Sequence, residues 1–241
     1  MAQRQSTSFK RILLKLSGES LAGEQKNGIS PLALDYFVRE IKKAHDLGIE
    51  IGLVLGGGNL FRGLSQQAER MNRTVADQMG MLATVINSLA LKDALTQAGI
   101  PARVLTATQM NAFADYYVSS QAVQYLTQGE VILIAGGTGN PYFTTDTAAV
   151  LRAVELNADV VIKGTRVDGV YNADPEKVED AVKFDRLSYM EVIKRGLKVM
   201  DITAITLAMD NELPIIVFNF GIEDNLKKVV LGEAVGTKVQ G

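Results

Sequence analysis

Short apolar runs that alternate with longer segments of helical period predict an α/β protein: an open, mostly parallel sheet sandwiched by helices in three layers. Three observations carry that expectation. Residues 12–16, 51–55 and 131–134 are apolar almost without interruption, as strands buried on both faces of a parallel sheet are. Each run feeds directly into glycine, at Gly18, at Gly56, Gly57 and Gly58, and at Gly136, Gly137 and Gly139. In an open α/β sheet, loops at the carboxyl ends of strands converge on one crevice.

The elements follow in order. Residues 1–9 read as a flexible polar tail with no apolar core of the kind a secretory leader has. A strand over residues 11–16 comes first. Ser30 then caps a helix opened by Pro31, with Leu34, Phe37, Val38, Ile41 and Ala44 on one face and Gly48 at its end. A strand over residues 49–55 precedes a long helix over about 75–98. That helix carries Met79, Leu82, Val85, Ile86 and Leu89, with Met79 and Met81 expected in the core, and Gly99 and Pro101 end it. A strand at 102–105, a helix near 118–126 and the strand at 131–134 complete the first part. Thr144 or Thr145 caps an Ala-rich helix through Glu155. A strand at 159–163, helices near 189–194 and 201–210, a strand at 215–218, a helix near 224–231 and a short last strand close the chain. With no linker, repeat or low-complexity segment, residues 10–241 read as a single α/β domain with halves at about 10–158 and 159–241.

Composition narrows the class. The chain has 241 residues, 47% of them hydrophobic, which supports a sizeable core. A net charge of −2 gives no bulk attraction to nucleic acid or to a membrane surface. There is no cysteine, which excludes disulfides and thiolate chemistry and fits a reducing, cytoplasmic setting. No apolar run reaches membrane-spanning length. The one histidine, His45, reads as a surface residue at a helix C-terminus, and no His or Cys cluster suggests a protein metal site.

The chemistry lies at the strand ends. Glycines 136, 137 and 139 let backbone N–H groups approach a ligand, and Pro141 stiffens the turn. A hydroxyl-capped helix follows, so the segment reads as an anion cradle or, equally, as a tight βα turn with an ordinary N-cap. The second glycine run favours the cradle, because three consecutive glycines are costly in conformational entropy and Arg62 and Gly63 follow closely. Lys15 lies within an apolar strand, where an unpaired ammonium would be costly, and so points at a permanent anion unless it snorkels from an edge strand. Lys163 closes another apolar strand and leads into turn signals at Asp168-Gly169 and Asp174-Pro175, with Tyr171 between them as a plate for a base or simply a packed ring. Two lysines and Arg62 together suit a nucleoside triphosphate and the charge of a transferring phosphoryl group. Neither G-x-x-x-x-G-K-[ST] nor G-x-G-x-x-G occurs, which excludes a P-loop and removes support for a Rossmann dinucleotide site.

These segments resemble the bacterial uridylate (UMP) kinases of the amino acid kinase fold family. The resemblance rests on Lys15-Leu16-Ser17-Gly18-Glu19, on Gly56-Gly57-Gly58-Asn59 with Arg62-Gly63, on the run from Gly137 through Asn140, Pro141, Tyr142 and Phe143 to Asp146, and on the segment 163–175. It runs from about Lys10 to the C-terminus and implies transfer of a phosphoryl group from ATP to UMP in pyrimidine nucleotide synthesis. By position, Lys15, Leu16, Ser17 and Gly18 would hold the ATP phosphates. Gly58 and Arg62 would face the donor, and Thr165, Tyr171 and Asp174 would bind adenosine. Gly57 and Arg62 would hold the acceptor phosphate and Asp77 the UMP ribose. Thr138, Gly139, Asn140, Pro141, Tyr142, Phe143, Thr144 and Thr145 would line uracil and its phosphate. Asp146 would orient Lys15 and Lys163 rather than act as a base, since a phosphate nucleophile is already deprotonated. The halves would then be an acceptor side and a donor side, with Mg²⁺ arriving on ATP.

The resemblance also implies a homohexamer activated by GTP and inhibited by UTP. Gly23, Glu24, Gln25, Lys26, Asn27, Gly28, Lys92, Asp93 and Arg103 match positions tied to GTP. Glu130 stands where a basic residue is expected, which implies a weakened GTP response. Three other readings share parts of this pattern. A sibling kinase for an amino acid or carbamate would share Lys15 and the glycines but has little use for Asp77 or the run from Thr138 to Thr145. A non-catalytic nucleotide sensor would not need Lys15, Arg62, Asp146 and Lys163 together. An oxidoreductase lacks its fingerprint.

Overall fold

The strand at the centre of the sheet, β1 (Arg11–Leu16), is buried along its whole length, which is why its apolar residues do not alternate with polar ones; Arg11 and Lys15 are its two charged residues. The computed structural model describes residues 7–25, 27–61 and 71–241. After β1 come α1 (Pro31–His45), β2 (Glu50–Leu55), α2 (Arg73–Gln97), β3 (Ala102–Thr106), β4 (Asp115–Tyr116), α3 (Ser119–Thr127), β5 (Val131–Ala135) and α4 (Thr145–Glu155). The second half adds β6 (Val160–Thr165), β7 (Val170–Tyr171), β8 (Lys183–Phe184), β9 (Arg186–Ser188), α5 (Tyr189–Arg195), α6 (Ile202–Asp210), β10 (Ile215–Asn219), α7 (Asn225–Leu231) and β11 (Thr237–Gln240).

Nine of these strands form one sheet in the order β4-β3-β5-β2-β1-β6-β10-β11-β9, while β7 and β8 make a separate antiparallel pair. Every pairing in the large sheet is parallel except β10 with β11. From β1 the chain moves to one side, to β2 and beyond, and it returns through β6 on the other side. The carboxyl ends of β1 and β6 therefore border the crevice where strand order diverges, the place where α/β sheets bind ligands.

Alternation along the strands divides the core into two layers. Ile12, Leu14 and Leu16 pack with Phe37 and Ile41 of α1, Val85 and Leu91 of α2 and Val229 of α7. Leu13, Val161 and Val217 face α3, α4, α5 and α6 through Leu126, Ala149, Val192 and Ala204. No helix among the described residues is long and apolar enough to cross a membrane.

Several local expectations change. The residues expected as one face of α2 split: Val85 is buried, but Leu82 and Ile86 are 49% and 52% exposed. Met79 and Met81 are half-buried rather than core. The helical period alone cannot tell which of several apolar stripes meets the sheet. His45 lies in the last turn of α1, as expected, half-buried with Nε2 2.9 Å from the Gly129 carbonyl. The N-terminal tail is docked from Ser8, whose N–H donates to Val230 O at 2.9 Å, and Phe9 packs on the core. Strands β4, β7, β8 and β9 were not expected; two or three residues are too short for a periodic signal.

Candidate functional site

Lys15 and Lys163 are direct partners in the β1–β6 register, so two ammonium groups stand side by side on the α4 face of the sheet. Like charges so placed repel, and burial raises the cost. Asp146, in the first turn of α4, removes the conflict. Its Oδ1 lies 2.7 Å from Lys15 Nζ and its Oδ2 2.8 Å from Lys163 Nζ. The first contact is an ion pair without hydrogen-bond alignment; the second is also a hydrogen bond. Burial pushes the Asp146 carboxyl up, but the two lysines more than offset it and hold it below the usual carboxylate range. Burial depresses the Lys163 ammonium, against the pull of Asp146. A carboxylate held this way is a poor base, and Lys15, Lys163 and Asp146 together carry one positive charge in excess, with the Asp201 carboxylate also acting on Lys163.

Thr144 is the N-cap of α4, its hydroxyl accepting from Asp146 N and Thr147 N. Thr144 Oγ1 in turn donates to Asp201, the N-cap of α6, and Thr147 Oγ1 donates to the same carboxylate at 2.9 Å. Lys163 Nζ also donates to Val199 O at 2.6 Å. Asp201 and Thr147 thus fix the turn that presents Asp146, and sequence reasoning missed both. Only the N-cap spacing before α6 marked Asp201 out.

The glycine turns pack as closely as their composition suggests. A Cβ on Gly18 would come within 2.3 Å of Gly56 O, so the turn after β1 lies directly against the turn after β2. A Cβ on Gly57 would come within 2.8 Å of Gly80 O, on the α2 backbone. Ser17 caps a short 3-10 helix over Gly18–Ala22, its hydroxyl accepting from Glu19 N. The Leu16 side chain is in the core, which leaves only its backbone for a ligand. Gly136, Gly137 and Gly139 have positive φ, and Gly136 N donates to Thr84 Oγ1 at 2.9 Å.

A cleft between α2 and this turn is lined by Gly57, Asp77, Thr138, Phe143, Thr144 and Thr145, together with Phe61, Gly80, Met81 and Thr84. The structure brings these sequence-predicted residues together beside the lysine cluster's helix. Asp77 accepts from Tyr142 N at 2.8 Å and pairs with Arg73 at 2.8 Å, holding Tyr142 at a φ of 72°. Tyr142 itself is exposed. Thr138 Oγ1 accepts from Asn140 N at 3.2 Å, and Gly139 N donates to Gly136 O at 3.0 Å. Neither Asn140 nor Pro141 lines this cleft.

On the other flank, Thr165 Oγ1 donates to Val167 O at 2.6 Å. Tyr171 lies in β7, and its hydroxyl donates to Asp168, an interaction that raises the phenol and lowers the carboxyl. Asp174 is exposed and accepts from Glu176 N at 3.0 Å. Arg62, Gly63 and Lys26 lie outside the described residues.

Away from the crevice, Arg103 is already engaged. Its Nε donates to Glu130 at 3.0 Å, its Nη1 to Asp115 at 3.0 Å, and it stacks 4.1 Å from the Tyr125 ring centroid. Lys92 is half-buried and Asp93 accepts from Gln97 Nε2 at 2.6 Å. Among the described residues one carboxylate trio lies close enough to hold a cation, Glu40, Glu223 and Asp224. Lys43 Nζ already sits 2.7, 2.9 and 2.8 Å from the three.

The sheet with its crevice-edge lysines defines a class of phosphate-handling α/β proteins, and comparison places the chain within it. The model of the amino acid kinase family matches residues 10–219, and the chain belongs to that family. It is 56% identical to a uridylate kinase of Phocaeicola vulgatus over 96% of this chain and 98% of the relative. A uridylate kinase of Bacteroides thetaiotaomicron is 54% identical over the same shares. The crystal structure of UMP kinase from Bacillus anthracis superposes with a TM-score of 0.93 at 39% identity, covering 96% of each chain.

Proposed function

We propose that this chain transfers the γ-phosphoryl group of ATP to UMP, giving ADP and UDP. The observation that carries the reading is the Asp146 carboxylate clamped between Lys15 and Lys163 at the crossover of the sheet. Phosphoryl transfer needs in-line alignment and neutralisation of charge on the transferring group, and the UMP phosphate oxygen brings no proton to remove. The surplus positive charge serves that purpose, and Asp146 holds the two ammonium groups a fixed distance apart. Full-length identity to uridylate kinases supports UMP as the acceptor.

In this reading Lys15, Ser17, Gly18, Gly58 and Arg62 hold the ATP phosphates, with Thr165, Tyr171 and Asp174 around adenosine. Gly57, Asp77 and the run from Thr138 to Thr145 hold UMP. Mg²⁺ enters on ATP. The enzyme works in the cytoplasm as a homohexamer, with UTP as inhibitor and GTP as a weak activator. The engagement of Arg103 by Glu130 and Asp115 supports the weakness, since both carboxylates would repel a triphosphate. The test is ATP consumption with UMP, CMP, aspartate, acetylglutamate or carbamate as acceptor. UMP alone should give rapid turnover; phosphorylation of an amino acid instead would overturn the reading.

A further inference from the structure

Asn59 and Asn87 are 1% and 0% exposed, in a region where α2 also buries Ala83, Thr84, Val85, Ser88 and Leu91. A buried amide costs free energy unless every donor and acceptor is met. Here they are all met. Asn87 Nδ2 donates to Asn59 Oδ1 at 2.7 Å and Asn59 Nδ2 donates to Asn87 Oδ1 at 3.0 Å, a closed reciprocal pair. The second hydrogen of Asn87 Nδ2 goes to Gly56 O at 2.8 Å, and that of Asn59 Nδ2 goes to Gly28 O at 2.8 Å. Gly28 N returns to Asn59 O at 3.0 Å.

The position of this pair gives it consequence. Gly56 O, which Asn87 holds, is the atom a Cβ on Gly18 would strike at 2.3 Å, and Asn59 Oδ1 would be 2.6 Å away. The pair therefore lies beneath the contact between the turn after β1 and the turn after β2. Gly56 N is tied to Leu16 O at 3.0 Å, and Asn87 is the one side chain among the described residues that holds Gly56 O. An apolar pair of similar volume would fill the space but would fix no carbonyl direction.

We propose that the Asn59–Asn87 amide pair is a positioning unit that sets the spacing between the two phosphate-holding turns. This rests on the reading of those turns given above. Asn87 does the larger share, because among the described side chains it alone binds Gly56 O, and Asn59 orients Asn87. The unit touches no substrate, so its loss misaligns donor and acceptor without removing a binding group. A misplacement of about 1 Å in a transfer reaction costs on the order of 10²-fold in rate.

The experiment compares Asn87→Ser and Asn59→Ser with the unaltered chain, measuring kcat and both KM values on whichever acceptor that chain phosphorylates. Far-UV circular dichroism and a melting curve accompany each. Asn87→Ser is expected to lower kcat by about 10²-fold while each KM changes far less, and Asn59→Ser to lower kcat less. Should Asn87→Ser not fold, the double variant Asn59→Leu with Asn87→Leu, which fills the space without a donor to Gly56 O, is read the same way. A folded Asn87 variant with unchanged kcat overturns the proposal, as does a greater loss at Asn59. If the unaltered chain phosphorylates something other than UMP, the substrate reading fails while this comparison still decides the role of the pair.

Discussion

Two charge clusters of this chain invert each other. At the carboxyl ends of β1 and β6, two lysines share the single carboxylate of Asp146. At the edge of the sheet, the carboxylates of Glu130 and Asp115 share the single guanidinium of Arg103. In both, each charge named has an opposite partner, but these three groups leave a positive charge over in the first and a negative one in the second. The first lies at the crossover, nearly dry, where a charge acts at full strength; the second is partly exposed and screened. The excess sign decides what each can take: a polyphosphate suits the first and is repelled by the second.

The largest test of the contrast is Lys15→Ala. Removing one preorganised charge should lower kcat by on the order of 10² or more, measured by coupled ADP release at saturating substrates. A change in KM alone would make Lys15 a binding group only. Asp146→Asn should also depress stability, by about 3–5 kcal/mol, because it leaves two buried cations adjacent; chemical denaturation reads this.

The cleft proposed to hold the acceptor comes next. Asp77→Asn should raise KM for UMP about tenfold or more and leave that for ATP nearly unchanged. Equal losses for both nucleotides would remove Asp77 from the acceptor side. Cytosine exchanges the donor and acceptor positions of uracil, so a loop built around Thr138 should disfavour CMP by roughly 10⁴ in kcat/KM.

A pH profile sharpens the comparison further. Burial lowers the Lys163 pKa, so kcat/KM should fall on the alkaline side before the ordinary lysine range near 10.4 is reached. Stability should move the other way there. Between the folded and unfolded pKa values of Lys163 the unfolded chain binds more protons, so its contribution to stability rises with pH. For Asp146, whose pKa is lowered, the contribution is present above the unfolded value and is lost as pH falls through the folded one. Lys163→Arg should shift the alkaline limb of activity upward; an unmoved limb would assign it to another group.

The smallest effect concerns the inverted cluster. Glu130→Arg should strengthen the response to GTP, read as a lower half-activating concentration. No gain would place residue 130 outside any effector site.

Much of the centre was legible in the sequence for one reason: a lysine ending an apolar strand has few explanations. Lys15 and Lys163 each carried that signal, and so did the glycines that must pack backbone to backbone. The partners were less legible. Asp146 stood out only through the family run. Asp201, Thr84 and the Asn59–Asn87 pair look in sequence like any polar residue on a helix or loop, because hydrogen bonding is a property of distant segments brought together. Arg103 and Glu130 are also far apart in the chain, and it is the pairing of β3 with β5 that brings Arg103 within reach of Glu130, the residue before β5. Leu82 and Ile86 failed in the opposite sense, as apolar residues at core spacing that the fold leaves exposed.

The central claim is that the lysine cluster transfers a phosphoryl group to UMP. Phosphorus NMR of the chain with Mg-ATP and UMP tests it directly. The account predicts UDP and ADP appearing in equal amounts, and neither forming when Lys15→Ala replaces the unaltered chain on the same timescale. ATP left intact beside UMP, or consumed with no UDP, would contradict it.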